Sequence, residues 1–251
     1  MFTHLISAEQ LQALQASGQP LMVFDCTFDL SNPALGAELF AQAHVPGAVH
    51  ADLDHFLSSQ QTDRRASGGR HPLPLREDFA AALQTIGFRN DMQAVVYDRN
   101  GNNYCGRLWW MLKWLGHEAV AILDGGLEAW QVAGLPVESG TVATASASAP
   151  FAISESCVRL VDTASVAAGL KQPHQTLIDS RGPARYSGAE EPMDPVAGHI
   201  PGALNRPFTL NMEADGRFKP AAQLRQEFGQ LLQGRDAASV TIHCGSGVSA
   251  V

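Results

Sequence analysis

This chain repeats itself. Ala43-His44-Val45-Pro46-Gly47-Ala48 returns as Gly198-His199-Ile200-Pro201-Gly202-Ala203, with the two histidines 155 positions apart. Upstream, Val23-Phe24-Asp25 returns as Leu177-Ile178-Asp179 at an offset of 154. Downstream, Val95-Val96-Tyr97-Asp98 is matched by Thr241-Ile242-His243-Cys244 at an offset of 146. Three matches in one order at nearly one offset mark a duplicated unit. A chain of 251 residues has room for two domains of ordinary size. The repeat therefore predicts two copies of one fold, over 1–138 and 151–251, with a linker at 139–150. The linker assignment rests on Thr144-Ala145-Ser146-Ala147-Ser148-Ala149-Pro150, which has no core-forming periodicity.

Each copy reads as α/β. Ser7 followed by Gln10 fits a capping box, and Leu11 and Leu14 begin a helical stripe. Leu21-Met22-Val23-Phe24, Ala94-Val95-Val96-Tyr97 and Val120-Ala121-Ile122-Leu123 are short apolar runs that read as buried strands. Helices are expected over Glu77–Ile86 and Tyr104–Leu115, with a helical turn around Trp130. Strands alternating with helices imply a mainly parallel sheet covered on both faces. The stretch between the first strand and His50 reads as loop-rich, and 58–72 as a long connection that marks a functional segment.

The copies differ in two ways. The cysteine position of the second, Cys244, is Asp98 in the first, so only the second carries a thiol there. The first copy also runs 32 residues from Asp98 to Trp130, whereas seven follow Cys244. The second copy is therefore expected to be C-terminally incomplete, without the helix and strand found at that point in the first.

Cys244 ends a β-branched run and is followed by Gly245-Ser246-Gly247-Val248-Ser249. Glycines let a chain turn so that successive N–H groups point at one centre. A thiol at such a centre is stabilised as the thiolate, which is the nucleophile. Cys26, Cys105, Cys157 and Cys244 lie far apart with no C-x-x-C pair, a poor disulfide framework and a poor metal site. Free thiols suit a reducing cytoplasm. Hydrophobic residues at 45% and charged residues at 17% exclude a disordered chain. A formal charge of -8 argues against nucleic-acid and anionic-membrane partners. No apolar run approaches the ~20 residues that span a bilayer, and Met1-Phe2-Thr3-His4 does not open a signal peptide.

The duplicated His-(Val/Ile)-Pro-Gly-Ala, the Asp124-Gly125-Gly126…Trp130 ending and the loop Cys244–Ser249 resemble tandem-domain rhodaneses. The loop is most similar to the Cys-Gly-Ser-Gly-Val-Thr of 3-mercaptopyruvate sulfurtransferases, with Ser249 at the Thr position. The resemblance implies two rhodanese-like domains, the first catalytically silent, with the site between them and no cofactor or metal. It implies that Cys244 takes a sulfane sulfur from a small anionic donor and passes it to a thiol, thioredoxin or cyanide. It gives Gly245, Gly247, Val248 and Ser249 the binding loop and makes Ser246 an orienting group for the donor carbonyl or its proton. Asp54 and His71 resemble a pair that assists proton transfer, and Arg185 matches the arginine that grips the donor carboxylate. The family has a second such arginine where Glu190-Glu191-Pro192-Met193-Asp194 carries Met193, and a thioether cannot make a bidentate pair with a carboxylate. Thiosulfate therefore stays open as donor, as does a non-catalytic sulfur-relay module. Rhodanese-like phosphatases need an arginine where this chain has Ala250, which removes phosphoryl transfer. His44 and His199 read as structural hydrogen-bonders at a loop corner, His243 as a core or supporting histidine, Arg181 as a structural ion pair and Trp109, Trp110 and Trp114 as packing groups.

Overall fold

A computed structural model describes residues 1–144, 146–147, 149–170, 172 and 174–250. Ala145 and Ser148 of the expected linker, and Val251, lie outside the described residues. The chain divides into two compact units, Met1–Arg159 and Leu160–Val251.

In the first unit, β1 (Leu5–Ile6), β2 (Leu21–Asp25), β3 (Val49–His50), β4 (Gln93–Tyr97) and β5 (Val120–Leu123) form one sheet in the order β1-β5-β4-β2-β3. Every pairing is parallel. β4 and β5 are buried along their whole length, as expected of strands covered on both faces. Val23, Val95, Tyr97, Ala121, Leu123 and Trp130 meet in the core. α1 (Ala8–Ala16) starts with the expected capping box, in which the Gln10 N–H donates to Ser7 Oγ and the Ser7 N–H to Gln10 Oε1. α3 (Arg76–Thr85), α4 (Cys105–Trp114) and α5 (Gly126–Val132) occupy the three stretches read as helical.

One helix falls in the stretch read as loop-rich. α2 (Leu35–Gln42) has no side-chain cap and so lacks a local start signal. Packing holds it instead: Phe40 joins the core and stacks on His44 at 4.0 Å between ring centroids. Gly36 permits the approach, since a Cβ there would stand 2.2 Å from the Thr27 carbonyl oxygen.

The described residues of 139–159 lie along the first unit. The Gly140 N–H donates to Ala41 O, Ser154 N–H to Leu115 O and Cys157 N–H to Lys113 O, at 2.7–3.0 Å. Phe151 is buried and stacks on Phe88 at 5.7 Å.

The second unit repeats the central arrangement. β6 (Thr176–Asp179) lies between β7 (Leu204–Asn205) and β8 (Val240–His243), all parallel, with α6 (Thr163–Gly169), α7 (Pro183–Ser187) and α8 (Ala221–Leu232) alongside in sequence. These strands correspond to β2, β3 and β4. The described residues hold no counterpart of β1 and β5 in this unit, and Ile242 of β8 is 45% exposed. Both His-x-Pro-Gly-Ala corners are built alike: His44 Nδ1 bonds Phe40 O at 2.8 Å, and His199 Nδ1 bonds Tyr186 O at 2.7 Å. Each ring also stacks on the aromatic residue whose carbonyl it bonds. Among the described residues no helix is long and apolar enough to cross a membrane.

Gly36→Val should lower stability by about 1–3 kcal/mol, because the added methyls meet backbone rather than a movable side chain. The urea midpoint of the full chain measures this, and an unchanged midpoint would mean that α2 is not held against Thr27.

Candidate active site

Open α/β sheets bind ligands beyond the carboxyl ends of their strands. Cys244 stands at that place, directly after β8, and is half-buried. The chain turns back through Gly247, whose φ of 72° lies in the left-handed region that glycine enters without strain. The turn brings the Gly247 N–H to 3.0 Å from Cys244 Sγ, so the backbone donates a hydrogen bond to the sulfur. Gly245, Ser246 and Ser249 are half-buried, while Val248 at 4% exposure anchors the loop in the interior. Behind the loop, the Ser180 N–H and Oγ–H both donate to His243 O, at 2.9 and 3.2 Å. Burial lowers the pKa of His243, against a smaller opposing effect of Asp179.

The equivalent loop of the first unit shows what such a turn can hold. Asp98 is 2% exposed and accepts four backbone N–H groups: Asn100 and Asn102 on Oδ1, Tyr104 and Cys105 on Oδ2, all at 2.8–2.9 Å. Burial raises the pKa of this carboxyl, and the four donors pull it back. A carboxylate thus fills the cradle that follows the strand. Burial, reinforced by Asp98, also pushes the thiols of Cys26 and Cys105 well above the ordinary range. Neither is a nucleophile in that state.

Near the strand ends of the second unit, two arginines share three carboxylates. Arg181 binds Asp179 Oδ2 at 2.7 Å, Glu191 Oε2 at 3.2 Å and the Gly198 carbonyl at 2.6 Å, so it is the structural ion pair that its sequence position suggests. Asp179 is in register with His243, the residue before Cys244. Arg185, on α7, reaches Glu191 Oε1 at 2.8 Å and Asp194 Oδ2 at 2.7 Å. Burial would raise the Glu191 carboxyl, but the Asp194 and Met193 N–H groups and Arg185 outweigh it and hold the pKa at about 2. Sequence reasoning missed Glu191 and Asp194 as partners of Arg185. The only signal is the charge order Arg181, Arg185, Glu191, Asp194, and it has neither helical nor strand periodicity.

In the first unit, His71 Nε2 stands 3.4 Å from Asp54 Oδ1. His71 is 7% exposed, and its carbonyl accepts from Arg107 at 2.9 Å. Burial lowers its pKa more than Asp54 raises it, which favours the neutral ring. The structure thus brings together Asp54 with His71 in one unit, and Cys244 with its loop in the other. Among the described residues no group of three His, Cys, Asp or Glu side chains is placed to hold a metal ion.

The rhodanese-like domain model matches residues 7–133 and 162–251. The chain belongs to this family, as a tandem of two such domains. A Pseudomonas aeruginosa relative named probable 3-mercaptopyruvate sulfurtransferase is 43% identical over 247 residues, 98% of this chain and 85% of the relative. An Arabidopsis thaliana relative named thiosulfate/3-mercaptopyruvate sulfurtransferase 2 is 34% identical over 229 residues, 83% of this chain and 65% of its own length. The solved 3-mercaptopyruvate sulfurtransferase from Leishmania major superimposes with a TM-score of 0.82 at 29% identity, covering 99% of this chain and 67% of that one.

Asp98→Ala should destabilise the first unit by about 3–5 kcal/mol, since two buried and two partly buried hydrogen bonds lose their acceptor together. Asp98→Asn, which keeps one oxygen, should cost less. Thermal unfolding of both variants measures this; an Ala variant as stable as the parent would show that the carboxylate does not organise the loop.

Proposed function

We propose that this chain is a sulfurtransferase that takes a sulfane sulfur from 3-mercaptopyruvate onto Cys244 and passes it to a thiol, thioredoxin or cyanide. One observation carries the reading: at the carboxyl end of β8 a backbone N–H is already aimed at Cys244 Sγ. The sulfurtransferase names of its tandem relatives support it, and the 43% identical relative is named for this donor.

The Cys244 thiolate attacks the donor sulfur. An S–S bond forms as the C–S bond breaks, and the C–S electron pair passes to carbon as the enolate of pyruvate. The enolate takes up a proton and leaves as pyruvate, while the persulfide stays on Cys244. An acceptor thiolate or cyanide then attacks the outer sulfur and restores the cysteine. N–H donors at Sγ stabilise both the thiolate and the persulfide anion, as an oxyanion hole stabilises developing charge on oxygen. Gly245, Gly247, Val248 and Ser249 shape the loop around the sulfur. Ser246 orients the donor carbonyl, Arg185 holds its carboxylate, and Asp54 with His71 is assigned to proton transfer. The first domain, 1–138, is silent because Asp98 offers no thiol, and the catalytic domain, 151–251 by the repeat, follows the linker 139–150, with its compact unit beginning at Leu160. Four unpaired cysteines suit the cytoplasm as its location.

Thiosulfate is the second reading, favoured by Met193 at the position of a second carboxylate-binding arginine and by the two-donor name of the Arabidopsis relative. Pyruvate release from 3-mercaptopyruvate, measured beside sulfite release from thiosulfate with one acceptor, decides between them.

Cys244→Ser should abolish turnover and the mass gain of one sulfur atom after donor treatment, while replacing Cys26, Cys105 or Cys157 leaves the sulfur-loaded species. Turnover retained in Cys244→Ser would end the mechanism, and an unmodified Cys244 in the parent would favour a non-catalytic module. Arg185→Ala should raise KM for 3-mercaptopyruvate about tenfold or more, as expected for loss of charge-assisted hydrogen bonds. The exposed Arg159 changed to Ala is the control, and equal KM values for the two variants would remove Arg185 from the site.

A further inference from the structure

Arg185 is already engaged, and its two carboxylate partners are held differently. Glu191 has a side chain 5% exposed, binds both Arg181 and Arg185, and accepts the N–H groups of Met193 and Asp194 at 3.1 and 3.0 Å. Asp194 has a side chain 26% exposed; its Oδ2 lies 2.7 Å from Arg185 Nη2 and 4.0 Å from Arg181 Nη1. Glu191 is therefore an anchor, and Asp194 the more solvent-facing partner of the same guanidinium. With Asp179 the cluster holds three carboxylates against two guanidinium groups, one negative charge in excess. No Lys or Arg lies between Arg185 and Arg206 in the sequence, and Met193 beside Asp194 carries no charge. An anionic donor that uses Arg185 competes with the carboxylates already on its Nε and Nη2, and the more exposed one yields at lower cost than the one tied by six hydrogen bonds.

We propose that Asp194 is a specificity-determining residue, an internal competitor that occupies the Arg185 guanidinium until the donor's carboxylate displaces it. The proposal rests on reading Arg185 as the group that binds that carboxylate. Asp194 then sets the donor concentration at which the site fills and disfavours donors without a carboxylate able to replace it. A bracing role would have the opposite sign: if Asp194 only held Arg185 in place, its removal would weaken donor binding.

The test uses the full chain and pyruvate, a 2-oxo carboxylate with no transferable sulfur, titrated by calorimetry. Asp194→Asn should lower the Kd for pyruvate and the KM for 3-mercaptopyruvate about fivefold, the scale of a partly exposed ion pair. The gain should vanish when Arg185→Ala is also present. Unchanged or weaker pyruvate binding in Asp194→Asn overturns the proposal, as does a gain that persists without Arg185. The mass of Cys244 after 3-mercaptopyruvate treatment reports separately on sulfur transfer. An unloaded cysteine would sink that reaction while the pyruvate titration still decides the role of Asp194.

Discussion

A strand that ends in a tight loop leaves several backbone N–H groups converging on one point, and buried donors need an acceptor. The two units of this protein meet that requirement to different degrees. In the first, the Asp98 carboxylate meets it with four hydrogen bonds. In the second, Cys244 Sγ takes the corresponding place and receives the Gly247 N–H. The parallel sheets put both loops at the same end of their strands, and the paired His-x-Pro-Gly-Ala corners lock the adjoining chain through the same ring-to-carbonyl bond. The two loops differ in the acceptor, a carboxylate in one and a sulfur in the other.

The positive character available to an anionic donor follows from this. The chain is acidic overall, with a formal charge of -8, and both arginines near the strand ends of the second unit are matched by carboxylates. The backbone dipoles of the loop are the positive groups at the sulfur itself. Such dipoles are fixed by the fold and keep their charge at any pH, whereas side-chain cations depend on the partners they must leave.

Much of this could be read from residues alone. Continuous apolar runs such as Val95-Val96-Tyr97 mark strands buried on both faces, and a Ser and Gln three apart mark a helix start. The duplicated corners identified His44 and His199 as structural, because the same residue recurs where only one copy holds the thiol. What escaped were features held by distant contacts. α2 lacks a cap and depends on Phe40 in the core and on a glycine against Thr27. The carboxylates that engage Arg185 lie on an irregular segment after α7, where no period links charge to charge. Local rules report on contacts of fixed spacing, and neither feature follows one.

The filled cradle of the first unit also restricts what evolution can do with it. A carboxylate presents two oxygens that divide four donors between them, and the surrounding loop has settled to that spread. A thiol offers a single large atom with weaker acceptor power. Placing a cysteine at position 98 alone would strand donors that two oxygens now satisfy. Such a change therefore needs the loop backbone to shift in concert with the side chain. The quality of its own hydrogen bonding holds this position to a carboxylate.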